Sequence, residues 1–113
     1  CAPSQRRLCL RGGRFAAEAT WETGTDSGQA GAVRLTDESG YFCFFGKENV
    51  VVSLKLLDAC WSGHYWVFAS GTTDVRVVLT VTDLVRGQTR TYVNPRGTAF
   101  APVLDTSAFA TCP

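Results

Sequence analysis

Residues able to do chemistry are few and scattered. The chain holds one histidine, His64, in the run Trp61-Ser62-Gly63-His64-Tyr65-Trp66. A nucleophile needs its base within hydrogen-bond reach. Ser62 is a poor partner, because on an extended chain residues this near in sequence point apart or stand too far from one another. No Gly-x-Ser-x-Gly elbow occurs, and a Cys43–His64 pair requires the fold to bring two distant segments together. The expectation is no enzyme, with His64 a structural residue beside a bridge at Cys60. Metal signals are equally thin. Cys60 and His64 lie four apart, but zinc needs further ligands and no second pair is at hand. Calcium prefers clustered carboxylates. Asp26, Asp37, Glu38, Asp74 and Asp105 fall in expected loops, where acids ordinarily cap turns, and no EF-hand pattern occurs. Gly46-Lys47 lacks the upstream glycine of a phosphate-cradling loop. No metal or cofactor is expected.

Thirteen aromatic residues are the one hint of binding (seven Phe, three Trp, three Tyr). Most must be core in a chain this short. Trp61, Tyr65, Tyr41 and Tyr92 fall at loop edges or on the face opposite the expected core. Exposed, they would stack on sugar rings with help from Arg or Asp hydrogen bonds. Buried, they would pack between sheets or over a bridge, and this packing reading is favoured.

The five cysteines, Cys1, Cys9, Cys43, Cys60 and Cys112, contain no C-x-x-C pair, so zinc-ribbon and thioredoxin readings fail. Wide spacing in a strand-rich chain fits disulfides formed in an oxidising compartment. The odd count leaves one free thiol. Cys43 is the candidate, since Tyr41-Phe42-Cys43-Phe44-Phe45 has room for a small buried hydrophobe. The other four allow three pairings; Cys1–Cys112, tying the ends together, and Cys9–Cys60 are expected. A rival reading makes Cys1 the lipid-modified first residue of a lipoprotein, with Cys112 then pairing elsewhere, for instance with Cys43.

These groups must be positioned by a single domain, residues 1–113, since about 100–150 residues is the usual size of one core. At 113 residues, 45% hydrophobic and 19% charged, the chain is too apolar for disorder. A net charge of +1 gives no field that would attract nucleic acid. The longest apolar stretch, Val50–Leu57, is interrupted by Ser53 and Lys55 and is far too short for a membrane span.

The apolar residues are chosen for strands. There are 12 Val and 13 Thr, with no Ile and no Met, and both Val and Thr suit a pleated surface. Period-two alternation marks Phe15–Trp21, Val50–Leu57, Val75–Thr82 and Thr89–Asn94. Tyr41–Phe45 and His64–Ala69 are apolar on both faces and read as central strands. Shorter strands are expected at Leu8–Arg11 and Ala30–Leu35. Turns fall between them at Thr23–Gly28, Asp37–Gly40, Gly71–Asp74, Asp83–Gly87 and Asn94–Gly97. Helix is limited to a turn at Thr106–Ala110. The expected fold is all-β, a disulfide-stabilised antiparallel β-sandwich of about seven or eight strands, its edges held by Arg76, Arg90 and Lys55.

Several blocks together resemble an all-β accessory domain of uncharacterised function found in secreted proteins of GC-rich bacteria. They are Leu8–Phe15, Ser39–Phe45, Asn49–Cys60, Tyr65–Gly71 and the stretch from Thr80-Val81-Thr82-Asp83 through Asn94–Phe100, covering nearly the whole chain. The excess of Arg over Lys, nine to two, fits such a genome. The chain departs from the resemblance at Cys43, where Trp is expected, and this supports an unpaired Cys43. The resemblance implies an extracytoplasmic location and an accessory role, with no activity and no functional residue. The leading expectation is therefore a non-catalytic accessory or interaction domain of an exported bacterial protein. Its alternatives are a carbohydrate-binding module, with a polysaccharide stacked on Trp61 and Tyr65, and a protein-binding module such as a peptidase inhibitor using the Thr23–Gly28 loop.

Overall fold

A computed structural model describes residues 1–113. It is nearly all strand, and two antiparallel sheets face each other across one core. In chain order the strands are β1 (Leu8–Leu10), β2 (Phe15–Glu22), β3 (Ser27–Gln29), β4 (Gly31–Arg34) and β5 (Ser39–Cys43). There follow β6 (Val52–Ala59), β7 (His64–Gly71), β8 (Arg76–Asp83), β9 (Gln88–Asn94) and β10 (Val103–Phe109). The first sheet runs β1-β2-β8-β9, with β3 paired to the far half of β2; the second runs β10-β7-β6-β5-β4. No helix is long and apolar enough to cross a membrane.

The β-sandwich expectation holds, with ten strands in place of seven or eight. The polar stretch Thr23–Gly28 contains the start of β3, which closes a hairpin on β2 through Thr23 N–H to the Asp26 carbonyl at 2.9 Å. The chain then switches sheets at Ala30, fully buried, so that β3 and β4 belong to different layers. At the C-terminal end, where a helical turn is expected at Thr106–Ala110, the chain instead continues β10 as far as Phe109. A register shift between Asp105 and Phe109 hides its alternation.

Alternation builds the core. From β2, Phe15, Ala17, Ala19 and Trp21 point inward; from β8, Val77, Leu79 and Val81; from β6, Val52, Leu54 and Leu56. Gly40 on β5 lets the N-terminal segment close down, since a side chain there would stand 2.7 Å from the Val33 carbonyl oxygen and 2.8 Å from a Leu8 methyl. The edges are managed differently from expectation. Arg90 does sit on edge strand β9, turned inward with its guanidinium 5.4 Å from the centre of the Phe109 ring, and such an inward charge discourages pairing with other chains. Arg76 lies on β8 and Lys55 on β6, both interior strands.

The disulfides also differ from expectation. Cys1 pairs with Cys9 and Cys60 with Cys112, while Cys43 is a free thiol. The expected Cys9–Cys60 link fails for a geometric reason. Leu8 and Leu10 face the core, so Cys9 between them faces away from it, whereas Cys60 follows β6 in the other sheet. Cα atoms more than about 7 Å apart cannot be bridged, and the layers stand about 10 Å apart. Register supplies the actual partner: Phe109 lies opposite Tyr65, which carries Cys112 to the β6–β7 turn. Cys1 curls back to Cys9 over Gly13, so the Cys1–Cys112 tie does not form either.

Candidate functional site

The interior end of β7 is fixed by a buried ion pair. Arg14 Nε and Nη2 donate to the two carboxylate oxygens of Asp83 at 3.2 and 3.0 Å. The same guanidinium donates to the Tyr65 hydroxyl at 3.2 Å and to the Thr111 carbonyl at 2.6 Å. Asp83 is fully buried, and its carboxylate also accepts the Val85 and Arg86 amides of the β8–β9 turn. Burial alone would raise the Asp83 carboxyl; the Arg14 bond and these amides outweigh it and hold the group below its ordinary range. Tyr65 packs edge-on against Phe15 at 4.9 Å. With 5% of its surface exposed, it is a core residue.

Anchoring Tyr65 inward sets the phase of the whole strand. Tyr65, Val67 and Ala69 face the core, and His64, Trp66, Phe68 and Ser70 face outward. Cross-strand pairing adds Leu57 beside Trp66 and Lys55 beside Phe68 from β6, and Leu104 beside Phe68 from β10. Between β6 and β7 the chain turns through Cys60–Ser62 and a left-handed Gly63 (φ 94°), with Ser62 Oγ donating to the Ala59 carbonyl at 2.7 Å. That turn projects Trp61, which is 83% exposed.

The result is a continuous aromatic row on an open sheet face. Trp61 meets Trp66 edge to face with centroids 5.7 Å apart, and Trp66 stacks on Phe68 at 5.7 Å with planes 24° apart. Trp66 Nε1 is shut off from water and meets no acceptor. Beyond Phe68 a shallow groove of about 200 Å³ runs between Phe68 and Leu104, floored by Ala69 and bordered by Ser53, Lys55 and Ser70. The Ser53 and Ser70 hydroxyls lie 3.0 Å apart. Leu104 is 69% exposed, and Lys55 is exposed without a carboxylate partner.

Of the residues expected to bind a ligand, only Trp61 belongs to this row. Tyr92 is half-buried at the seam between the sheets, its hydroxyl donating to Asp105 Oδ2 at 2.7 Å. Burial first, and then that bond, push its ionisation well above the usual phenol range. Tyr41 lies on β5, two strands from the row, and donates to the Lys47 carbonyl at 3.0 Å. Sequence reasoning missed Trp66, Phe68, Leu57 and Leu104. The usable signal was the phase of β6: Val52, Leu54 and Leu56 point inward, and pairing from Val52↔Gly71 to Ala59↔His64 sends Trp66 and Phe68 the other way.

The remaining polar candidates act locally. His64 sits at the start of β7, with Cys43 two strands away on β5. Asp26 accepts the Ser27 amide, Glu38 pairs with Arg11 at 3.3 Å, and Asp37 accepts the Gly12 amide at 2.9 Å. That amide, ahead of the Arg34 and Arg11 charges, holds the Asp37 carboxyl below its ordinary range. No three His, Cys, Asp or Glu side chains come together as metal ligands. No protein-family model, curated protein or solved structure matches the chain.

Proposed function

We propose that the chain is a non-catalytic interaction domain of an exported bacterial protein, and that it works through the outer face of β10-β7-β6. The observation that carries this reading is Trp61, 83% exposed at the head of the Trp61–Trp66–Phe68 row. A tryptophan left in water forgoes on the order of 2–3 kcal/mol of burial, and contiguous exposed apolar surface marks interaction sites. Two disulfides support an oxidising compartment.

The test is retention of the 113-residue chain by cell-envelope material containing both polysaccharide and protein. A Trp61→Ala/Phe68→Ala variant should lose retention. A Thr80→Ala/Thr91→Ala variant, altered on the outer face of the other sheet, should keep it. Equal loss in both variants, or full retention by the first, would place the working surface elsewhere.

A further inference from the structure

The aromatic row sits among polar groups that narrow what can lie on it. Lys55 stands beside Phe68 in the middle of the sheet, exposed and free of any ion pair. Arg11 reaches the same strand, its Nη1 3.5 Å from the Leu56 carbonyl, but it is paired with Glu38 at 3.3 Å, and Arg90 is folded inward over Phe109. Next to Lys55 the Ser53 and Ser70 hydroxyls border the groove. An unpaired ammonium flanked by hydroxyls and flat rings suits a ligand with apolar ring faces, hydroxyls and a carboxylate.

Area separates a glycan from a protein. A fully exposed aromatic side chain offers about 150–250 Å², and only Trp61 and Leu104 in this strip are largely exposed, while Trp66, Phe68 and Leu57 are half-buried. The apolar strip is therefore on the order of 400 Å², about half of the roughly 800 Å² per partner of a stable protein interface. It is sufficient for a short length of extended sugar chain, and the open sheet imposes no end wall on such a chain.

We infer that the row binds an acidic polysaccharide, a pyranose face stacked on the exposed Trp61 ring, the chain running along the outward edges of Trp66 and Phe68, and a uronate carboxylate held by Lys55. This rests on the interaction reading above and gives that reading its ligand. The aromatic row supplies the affinity; the single cation supplies a preference of up to about fivefold for acidic over neutral chains, the scale of one exposed charge pair.

The experiment is affinity electrophoresis of the 113-residue chain through gels containing polygalacturonate, alginate, fully methyl-esterified pectin or dextran, with the envelope retention assay repeated after protease or periodate treatment. Retardation by the two polyuronates is expected, weakened about tenfold or more by Trp61→Ala or Phe68→Ala. Lys55→Gln should abolish the preference for polygalacturonate over its methyl ester while leaving the fold intact by circular dichroism. Equal mobility in all four gels overturns the acidic-glycan inference. Envelope retention that survives periodate but not protease also overturns it while keeping the interaction domain, with a protein as partner. Retention indifferent to Trp61 and Phe68 overturns both.

Discussion

Replacing Arg14 by methionine should expose how strongly the buried ion pair organises this fold. Met fills a similar volume but leaves the Asp83 carboxylate, fully buried, with only the Val85 and Arg86 amides at 3.0 and 3.3 Å. Tyr65 and the Thr111 carbonyl lose a partner as well. Removing one member of a buried pair costs about 3–5 kcal/mol, a large part of the roughly 5–15 kcal/mol that holds a domain folded. At about 4 °C per kcal/mol for this size, Tm at pH 7 should fall by roughly 12–20 °C. The pH dependence distinguishes a lost charge partner from lost packing. In the parent, Asp83 titrates below its unfolded value, near 3.9. Its stabilisation is therefore present above that value and is lost as pH falls through the depressed folded one. In Arg14→Met, burial acts without its main opponent and the carboxyl titrates high, so stability is full below about pH 3.9 and lost as pH rises through the raised value. The Tm gap between parent and variant should therefore shrink steadily from pH 7 to pH 4. Adding Asp83→Asn to Arg14→Met should recover much of the loss, because a neutral amide still accepts the two turn amides. Scanning calorimetry of the three proteins across this range is the assay. A gap independent of pH, or a double variant no more stable than Arg14→Met, would refute the charge argument.

Other consequences can be checked on the same samples. The Cys60–Cys112 bridge closes a separation of 52 residues and Cys1–Cys9 one of 8. Loop-closure entropy then gives about 4 and about 2.5 kcal/mol, so Cys60→Ser/Cys112→Ser should unfold at markedly lower urea than Cys1→Ser/Cys9→Ser. Peptide mapping should find these two links, with Cys43 alone labelled in the unreduced protein. Tyr92→Phe should cost about 1 kcal/mol at neutral pH through loss of the Asp105 bond. Above the unfolded tyrosine value, near pH 10, the parent loses stability as pH rises toward the higher folded value, so that difference should shrink and can reverse. Gly40→Ala should destabilise by about 2 kcal/mol or more by urea titration, because a Cβ there would stand 2.7 Å from a backbone oxygen that cannot yield.

Local alternation was enough to locate β2, β6 and β8, because each buries one regular face. The two elements that escaped have physical reasons for doing so. β3 carries Ser-Gly-Gln and is exposed along most of its length, so nothing in its own residues asks for a strand; β2 imposes the pairing. β10 mixes Val103 and Leu104 with Asp105, Thr106 and Ser107, and its register shift breaks the period that would reveal it. Bridge connectivity depends on which sheet each cysteine joins and which way it points, and that follows from the crossover at Ala30 and the register of β10 on β7, neither written in local pattern. The same holds for Arg14 and Asp83, which are 69 residues apart and meet only through the β2–β8 register, where Phe15 lies opposite Asp83.

The aromatic row is the most consequential case. A strand apolar on both faces, such as His64–Ala69, suggests a layer above and below it. This molecule has only two layers, so one of the two apolar sets must face solvent, and the space between Phe15 and Arg14, which takes Tyr65, decides which. Tyr65 brings its own hydroxyl partner into the core, whereas Trp66 buries an Nε1 that meets no acceptor. Swapping them would bring an indole into the space beside Arg14 and leave the guanidinium, which needs acceptors, facing a donor. The site beside Phe15 and Arg14 thus selects the strand's phase by admitting a phenyl or phenol ring and rejecting an indole donor, and the face turned outward is the one with the wider rings. It follows that Tyr65→Phe, which keeps the ring but removes the acceptor from Arg14, should lower Tm without moving Trp66 or Phe68, since Phe15 still packs on the ring and the pairing of Phe109 with residue 65 keeps the register. Near-ultraviolet circular dichroism of the Trp61–Trp66 pair would report this. A collapsed tryptophan signal in Tyr65→Phe, with the fold otherwise intact, would show that the hydroxyl rather than ring packing keeps the row in place.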